Sequence, residues 1–162
     1  MLLHTFSPKL SPLVEYLEAL TAPADLDRLV ELLSAVDINR EDLGTSVSFK
    51  DDCYARNRVA LTDWVELVTL CWKPGQRSCI HDHRGAACAF RVIEGSGTEQ
   101  RYELNKAGNV TPTTARPIPE DTICAAYDAD IHEVVNTSDT DLITLHIYTP
   151  PLEDWNKYER CD

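Results

Sequence analysis

The chain has no long hydrophobic run, no Cys-x-x-Cys pair, no internal repeat and little positive charge. Each absence removes a class of protein. No stretch approaches the roughly 20 apolar residues that a membrane-crossing helix needs. The opening Met-Leu-Leu-His-Thr lacks the basic start and apolar middle of a secretory leader. The chain is therefore expected to be soluble and cytoplasmic. Lysine and arginine number 15 against 27 acidic residues, a formal net charge of -12. Nucleic acid and acidic membrane are poor partners for such a surface. The acidic residues are scattered, as on a solvated surface. Six cysteines stand at positions 53, 71, 79, 88, 124 and 161. Their spacing suggests neither a zinc knuckle nor a thioredoxin-type pair, and in the cytoplasm they are expected to be reduced thiols.

What is present fits a single domain over residues 1–162. Residues 1–45 read as a helical cover. Leu13, Val14, Leu17 and Leu20 recur at helical spacing behind Ser11, a candidate cap. Leu26, Leu29, Val30, Leu32, Leu33 and Val36 mark a second helix, opened by Thr21-Ala-Pro-Ala-Asp25. Residues 53–151 change to short β-rich runs with Gly, Pro, Asn and Asp turns, the pattern of an all-β sandwich or barrel. Glu94-Gly-Ser-Gly97 between two such runs reads as a hairpin turn. Around Trp155 the polar tail is expected to pack back onto the barrel.

The chemistry is concentrated in Gly75-x5-His81-x-His83-x4-Cys88-x6-Gly95 and in His132-x3-Asn136. Residues two apart in a strand face the same way, so His81 and His83 can aim two imidazoles at one point, with His132 as a third. His4 falls in a loose terminus and is set aside. The frame resembles the two metal-binding motifs of the cupin superfamily, with Cys88 where a glutamate is usual. Ala129 and Asp121 replace the usual glycines of the second motif. Three neutral imidazoles leave a divalent ion its full charge, which suits an anionic thiolate donor and iron(II). Cys88 is open to two readings at this level: a further ligand or an inert core thiol. In Thr144-Leu-His-Ile-Tyr148, alternation puts Thr144, His146 and Tyr148 on one face, inward if Leu145 and Ile147 pack outside under the helices. Arg56 offers a planar fork for a carboxylate.

Taken together, Tyr54-x-Arg56-Asn57, Cys71-Trp72, Ile80-His-Asp-His83-x4-Cys88, His132-x3-Asn136 and Leu145-His-Ile-Tyr148-Thr-Pro150 resemble the cysteine dioxygenase family, the thiol dioxygenase branch of the cupins. The resemblance spans Tyr54 to Pro151. It implies a mainly β, double-stranded β-helix (jelly-roll) barrel with the N-terminal helices packed against it. It also implies one Fe(II) per chain, held by His81, His83 and His132. L-cysteine and dioxygen would be the substrates and cysteine sulfinic acid the product. Arg56 would clamp the substrate carboxylate, and Tyr54 would line the pocket. His146 would stand behind Tyr148, whose hydroxyl faces the substrate. Cys88 and Tyr148 would be able to form a thioether crosslink, and Thr149-Pro150 a cis bond. A monomer is expected. A 3-mercaptopropionate dioxygenase is the nearest alternative, and a non-catalytic cupin sensing small thiols or metals is the next.

Overall fold

The computed structural model describes residues 6–127 and 130–159. His4, Ala129 and Cys161 lie outside them. Two helices lead the chain. The first, α1, is Ser11–Glu18, and it follows a 3-10 turn at Pro8–Leu10 that Ser7 caps. Ser11 is thus the first helical residue and not a cap, because the chain is already coiled when it reaches Ser11. The second, α2, is Leu26–Ala35, with Asp25 at its N-cap accepting from the Arg28 amide at 2.9 Å. Pro23 lies ahead of that cap. At the other end of α2, Arg91 donates from Nη1 to the carbonyls of Leu33 and Val36, and from Nη2 to Asp121 at 2.7 Å. A barrel residue thereby satisfies carbonyls that the helix end leaves open. No helix among the described residues is long and apolar enough to cross a membrane.

Ten strands follow among the described residues: β1 Ala55–Leu61, β2 Glu66–Trp72, β3 Ile80–His81, β4 Ala87–Glu94, β5 Gly97–Leu104, β6 Val110–Ile118, β7 Ile123–Ala126, β8 Ile131–Val135, β9 Leu142–Thr149 and β10 Lys157–Tyr158. They form two five-stranded sheets, ordered β1-β2-β9-β4-β7 and β10-β3-β8-β5-β6. Every pairing is antiparallel. This is the cupin double-stranded β-helix, mainly β, with the helices laid against one sheet.

The turn at 94–97 is not a hairpin. Strand β4 pairs with β7 and β9, whereas β5 pairs with β6 and β8 in the opposite sheet. The glycines serve a crossing between sheets. Gly95 takes φ +82, and a Cβ there would sit 2.2 Å from the Asp141 carbonyl oxygen. A Cβ on Gly97 would sit 2.7 Å from the Val135 carbonyl oxygen. Only glycine lets the backbones come that close.

Strand β9 shows how the layers are built. Ile143, Leu145 and Ile147 join the cluster that holds Leu13, Leu17, Leu29 and Leu33 of the helices. The alternate residues Leu142 and Tyr148 join the inter-sheet cluster with Trp72, Phe90 and Cys88. Both faces of β9 are buried, so its polar residues Thr144 and His146 point into the barrel and need partners there. Thr149-Pro150 is a cis bond.

Candidate metal centre

His81 and His132 are direct cross-strand partners between β3 and β8. His83 lies two residues past His81, beyond the end of β3, yet turns its ring to the same point. One donor nitrogen from each of the three rings lies within 4.8 Å of the others. His132 Nε2 and His83 Nε2 are 3.3 Å apart.

Hydrogen bonds behind the rings set the tautomers. His81 Nδ1 faces the Cys79 carbonyl at 2.9 Å. A carbonyl only accepts, so Nδ1 carries the proton and Nε2 keeps a lone pair. His132 Nδ1 likewise faces the Glu99 carboxylate at 2.9 Å. Burial first, and then the neighbouring His132, lowers His81 to about 4 and His83 to about 3, so both stay neutral. His83 Nδ1 is buried with no hydrogen-bond partner. Donor nitrogens of the three rings therefore converge on one point. A cation satisfies that arrangement, and the donor set fits a divalent metal ion.

Glu99 was not legible in the sequence. It is fully buried on β5, with its second oxygen accepting from Arg116 Nε at 2.6 Å. Burial pushes its carboxyl up, but the hydrogen bonds from His132 and Arg116 outweigh that and hold it down at about 2. The signal that could have found it is a general one: ligating histidines need an acceptor behind them. Which of many acids serves depends on the β5–β8 register. Asn136, by contrast, is structural. Its amide donates to the Trp72 and Thr140 carbonyls at 3.0 and 2.8 Å.

The imidazoles open onto a cavity of ≈ 30 Å³ lined also by Tyr54, Arg56, Trp72, Cys79, Tyr148 and Trp155. That is room for very few water-sized groups. Tyr54 stacks on Trp72 with centroids 4.2 Å apart. Arg56 Nη2 donates to Glu66 Oε2 at 2.5 Å, and its guanidinium carbon lies 5.0 Å from the Tyr148 ring centroid. Glu66 is a second buried acid that sequence reasoning missed. Behind Tyr148 runs a relay. Its hydroxyl is 3.3 Å from His146 Nδ1, His146 Nε2 is 2.9 Å from Thr144 Oγ1, and Thr144 Oγ1 accepts from Trp72 Nε1 at 3.1 Å. Burial, and then the charge of Arg56, keeps His146 well below its usual range, while burial raises Tyr148. His146 is therefore a neutral hydrogen-bonding group. Cys88 pairs across the strands with Tyr148, and its sulfur is 3.8 Å from His146 Nδ1. It stands outside the trio whose nitrogens converge. Burial raises its thiol.

The barrel and the inward histidine trio define a cupin with a candidate metal centre. A solved Klebsiella pneumoniae protein with a double-stranded β-helix domain superposes with a TM-score of 0.56 at 21% identity, covering 73% of this chain and 95% of that one. The family model described as cysteine dioxygenase type I matches residues 4–161, and the chain belongs to that family. Cysteine dioxygenase type 1 of Rattus norvegicus is 25% identical over 158 residues, covering 93% of this chain and 79% of its own length. The Homo sapiens protein gives the same figures.

Proposed function

We propose that the chain is an iron(II)-dependent thiol dioxygenase that oxidises L-cysteine with dioxygen to cysteine sulfinic acid. The observation that carries this reading is the convergence of three imidazole donors on a cavity walled by Arg56 and Tyr148. His81, His83 and His132 would hold the iron. When bound, iron(II) would supply an acceptor for a soft thiolate and open positions for the amine and for dioxygen.

The chain's own residues do the rest. The unpaired side of the Arg56 guanidinium receives the substrate carboxylate, which points the thiol toward the trio. Tyr54, Trp72 and Trp155 exclude water, which strengthens each polar contact inside. The relay behind Tyr148 can run either way, since hydrogen positions follow the network. With Thr144 donating to His146 Nε2, and His146 Nδ1 donating to the phenol oxygen, the Tyr148 proton is free to point at the substrate.

Protein reconstituted anaerobically with iron(II) tests the reading. Dioxygen uptake would be followed with L-cysteine and with 3-mercaptopropionate, and products identified by mass. Uptake with L-cysteine and a gain of two oxygens is expected. Preference for 3-mercaptopropionate would keep the reaction and reassign the substrate. No uptake with either thiol, despite bound iron, would overturn the enzyme reading in favour of a thiol- or metal-sensing cupin.

The cross-strand pairing of Cys88 with Tyr148 supports a further hypothesis, a thioether between them. Its formation removes one hydrogen from the thiol and one from the ring, a two-electron oxidation with dioxygen as acceptor. Intact mass under reducing conditions should show that loss after turnover. An unchanged mass after extended turnover would eliminate the crosslink.

A further inference from the structure

Arg56 does not stand alone at the carboxylate end of the pocket. It lies on β1 two residues from Arg58, and both arginines reach the same buried acid on β2. Glu66 Oε2 accepts from Arg56 Nη2 at 2.5 Å, and Glu66 Oε1 accepts from Arg58 Nε at 2.7 Å. Glu66 is 1% exposed, whereas the Arg58 side chain is 46% exposed. Glu66 sits directly opposite Tyr148 in the β2–β9 register, and Tyr148 sits opposite Cys88 in β4. The acid is thus on the inner face, in the same cross-strand row as the residues beside the metal centre.

Two consequences follow from charge and geometry. Glu66 takes one bond from Arg56 Nη2, which fixes the guanidinium over the Tyr148 ring and leaves its other N–H groups for a ligand. An Arg56–Glu66 pair by itself would be neutral and would attract a carboxylate weakly. Arg58 offsets the charge of Glu66 and restores a net positive cluster, in a chain whose overall charge is -12. Neither Glu66 nor Arg58 lines the metal cavity. We propose that Arg58 and Glu66 are positioning residues that set the selectivity of the pocket for carboxylate-bearing thiols, acting through Arg56.

The inference rests on the proposed function and is tested by binding, not turnover. Iron(II)-loaded protein would be titrated anaerobically by calorimetry with L-cysteine and with cysteamine, which lacks the carboxylate. Arg58→Gln should raise the ratio of the two dissociation constants, L-cysteine over cysteamine, by about ten-fold, the scale of one unit charge lost at short range in a partly screened site. Arg58→Lys, which keeps the charge, should restore most of that ratio. A merely structural role would weaken both ligands alike and leave the ratio where it was. That result, in a protein whose wild type binds L-cysteine, overturns this inference alone. Glu66→Asp, which keeps the charge but is one methylene too short to reach both arginines, should also raise the ratio. An unchanged ratio would mean that Glu66 supplies charge alone, and would overturn its positioning role. A wild-type protein that binds neither thiol overturns the proposed function and this inference with it.

Discussion

At the scale of single residues, the candidate metal centre depends on groups outside the histidine trio. Glu99 fixes the proton of His132 on Nδ1 and so presents Nε2 as a donor. Glu99→Gln should weaken metal binding by roughly 10- to 100-fold, the usual cost of losing a carboxylate behind a ligating histidine. Competition with a chelator at equal metal checks this, and an unchanged affinity would remove Glu99 from the centre. His146 makes a pH prediction. Burial first, and then Arg56, holds it well below the usual 6.5. The folded protein therefore keeps it neutral where the unfolded chain takes up a proton. Its contribution to stability is full above the unfolded value and falls as pH drops below it, by about 1.4 kcal/mol per pH unit. His146→Gln removes this dependence. The gap in stability between wild type and variant should shrink on moving from about pH 7 to about pH 5.5. Urea unfolding at several pH values reads it, and a gap independent of pH would show that His146 is not held neutral by the fold.

At the scale of elements, the helices were legible because their apolar residues repeat at helical spacing on one buried stripe, Leu13, Val14 and Leu17 in α1 and Leu26, Leu29 and Leu33 in α2. Strand β9 was legible for the same kind of reason, at period two. The crossing from β4 to β5 was not. A Gly-x-Gly between two β-rich runs looks the same whether the runs pair with each other or enter opposite sheets, and only the partners of each strand decide. The crossing gives a sharp test. Gly95→Ala combines φ +82 with a Cβ 2.2 Å from a backbone oxygen. It should cost at least about 3 kcal/mol. Gly108 has the same φ of +82, but a Cβ there meets nothing within 4 Å. Gly108→Ala should cost only about 1–2 kcal/mol. Equal losses in urea midpoint would mean that close approach plays no part at Gly95.

At the scale of the molecule, one sheet ends in a strand that resists pairing with other chains. Edge strand β6 carries Pro112 and Pro117, neither of which can donate to a neighbour. Among the described residues the exposed large apolar side chains are Leu61, Leu104 and Tyr127, one each on β1, on β5 and after β7. No one element presents a broad apolar face. With a net charge of -12 opposing self-association, the particle in solution should be a monomer of 18.2 kDa. Sedimentation velocity checks this, and a stable dimer at micromolar concentration would contradict it.

Local order along the chain determined the helical cover, the inward face of β9 and the nearness of His81 to His83, whereas His132 joins them only through the β3–β8 pairing. Alternation along β9 carries its own geometry. What only the tertiary structure decided is how charges buried far apart in sequence meet. Glu99 reaches His132 because β5 lies beside β8, and Glu66 reaches Arg56 and Arg58 because β1 folds back on β2. Burial makes those pairings necessary, since a carboxylate out of water must find its partners inside, and which partners it finds depends on strand register, which no local pattern encodes.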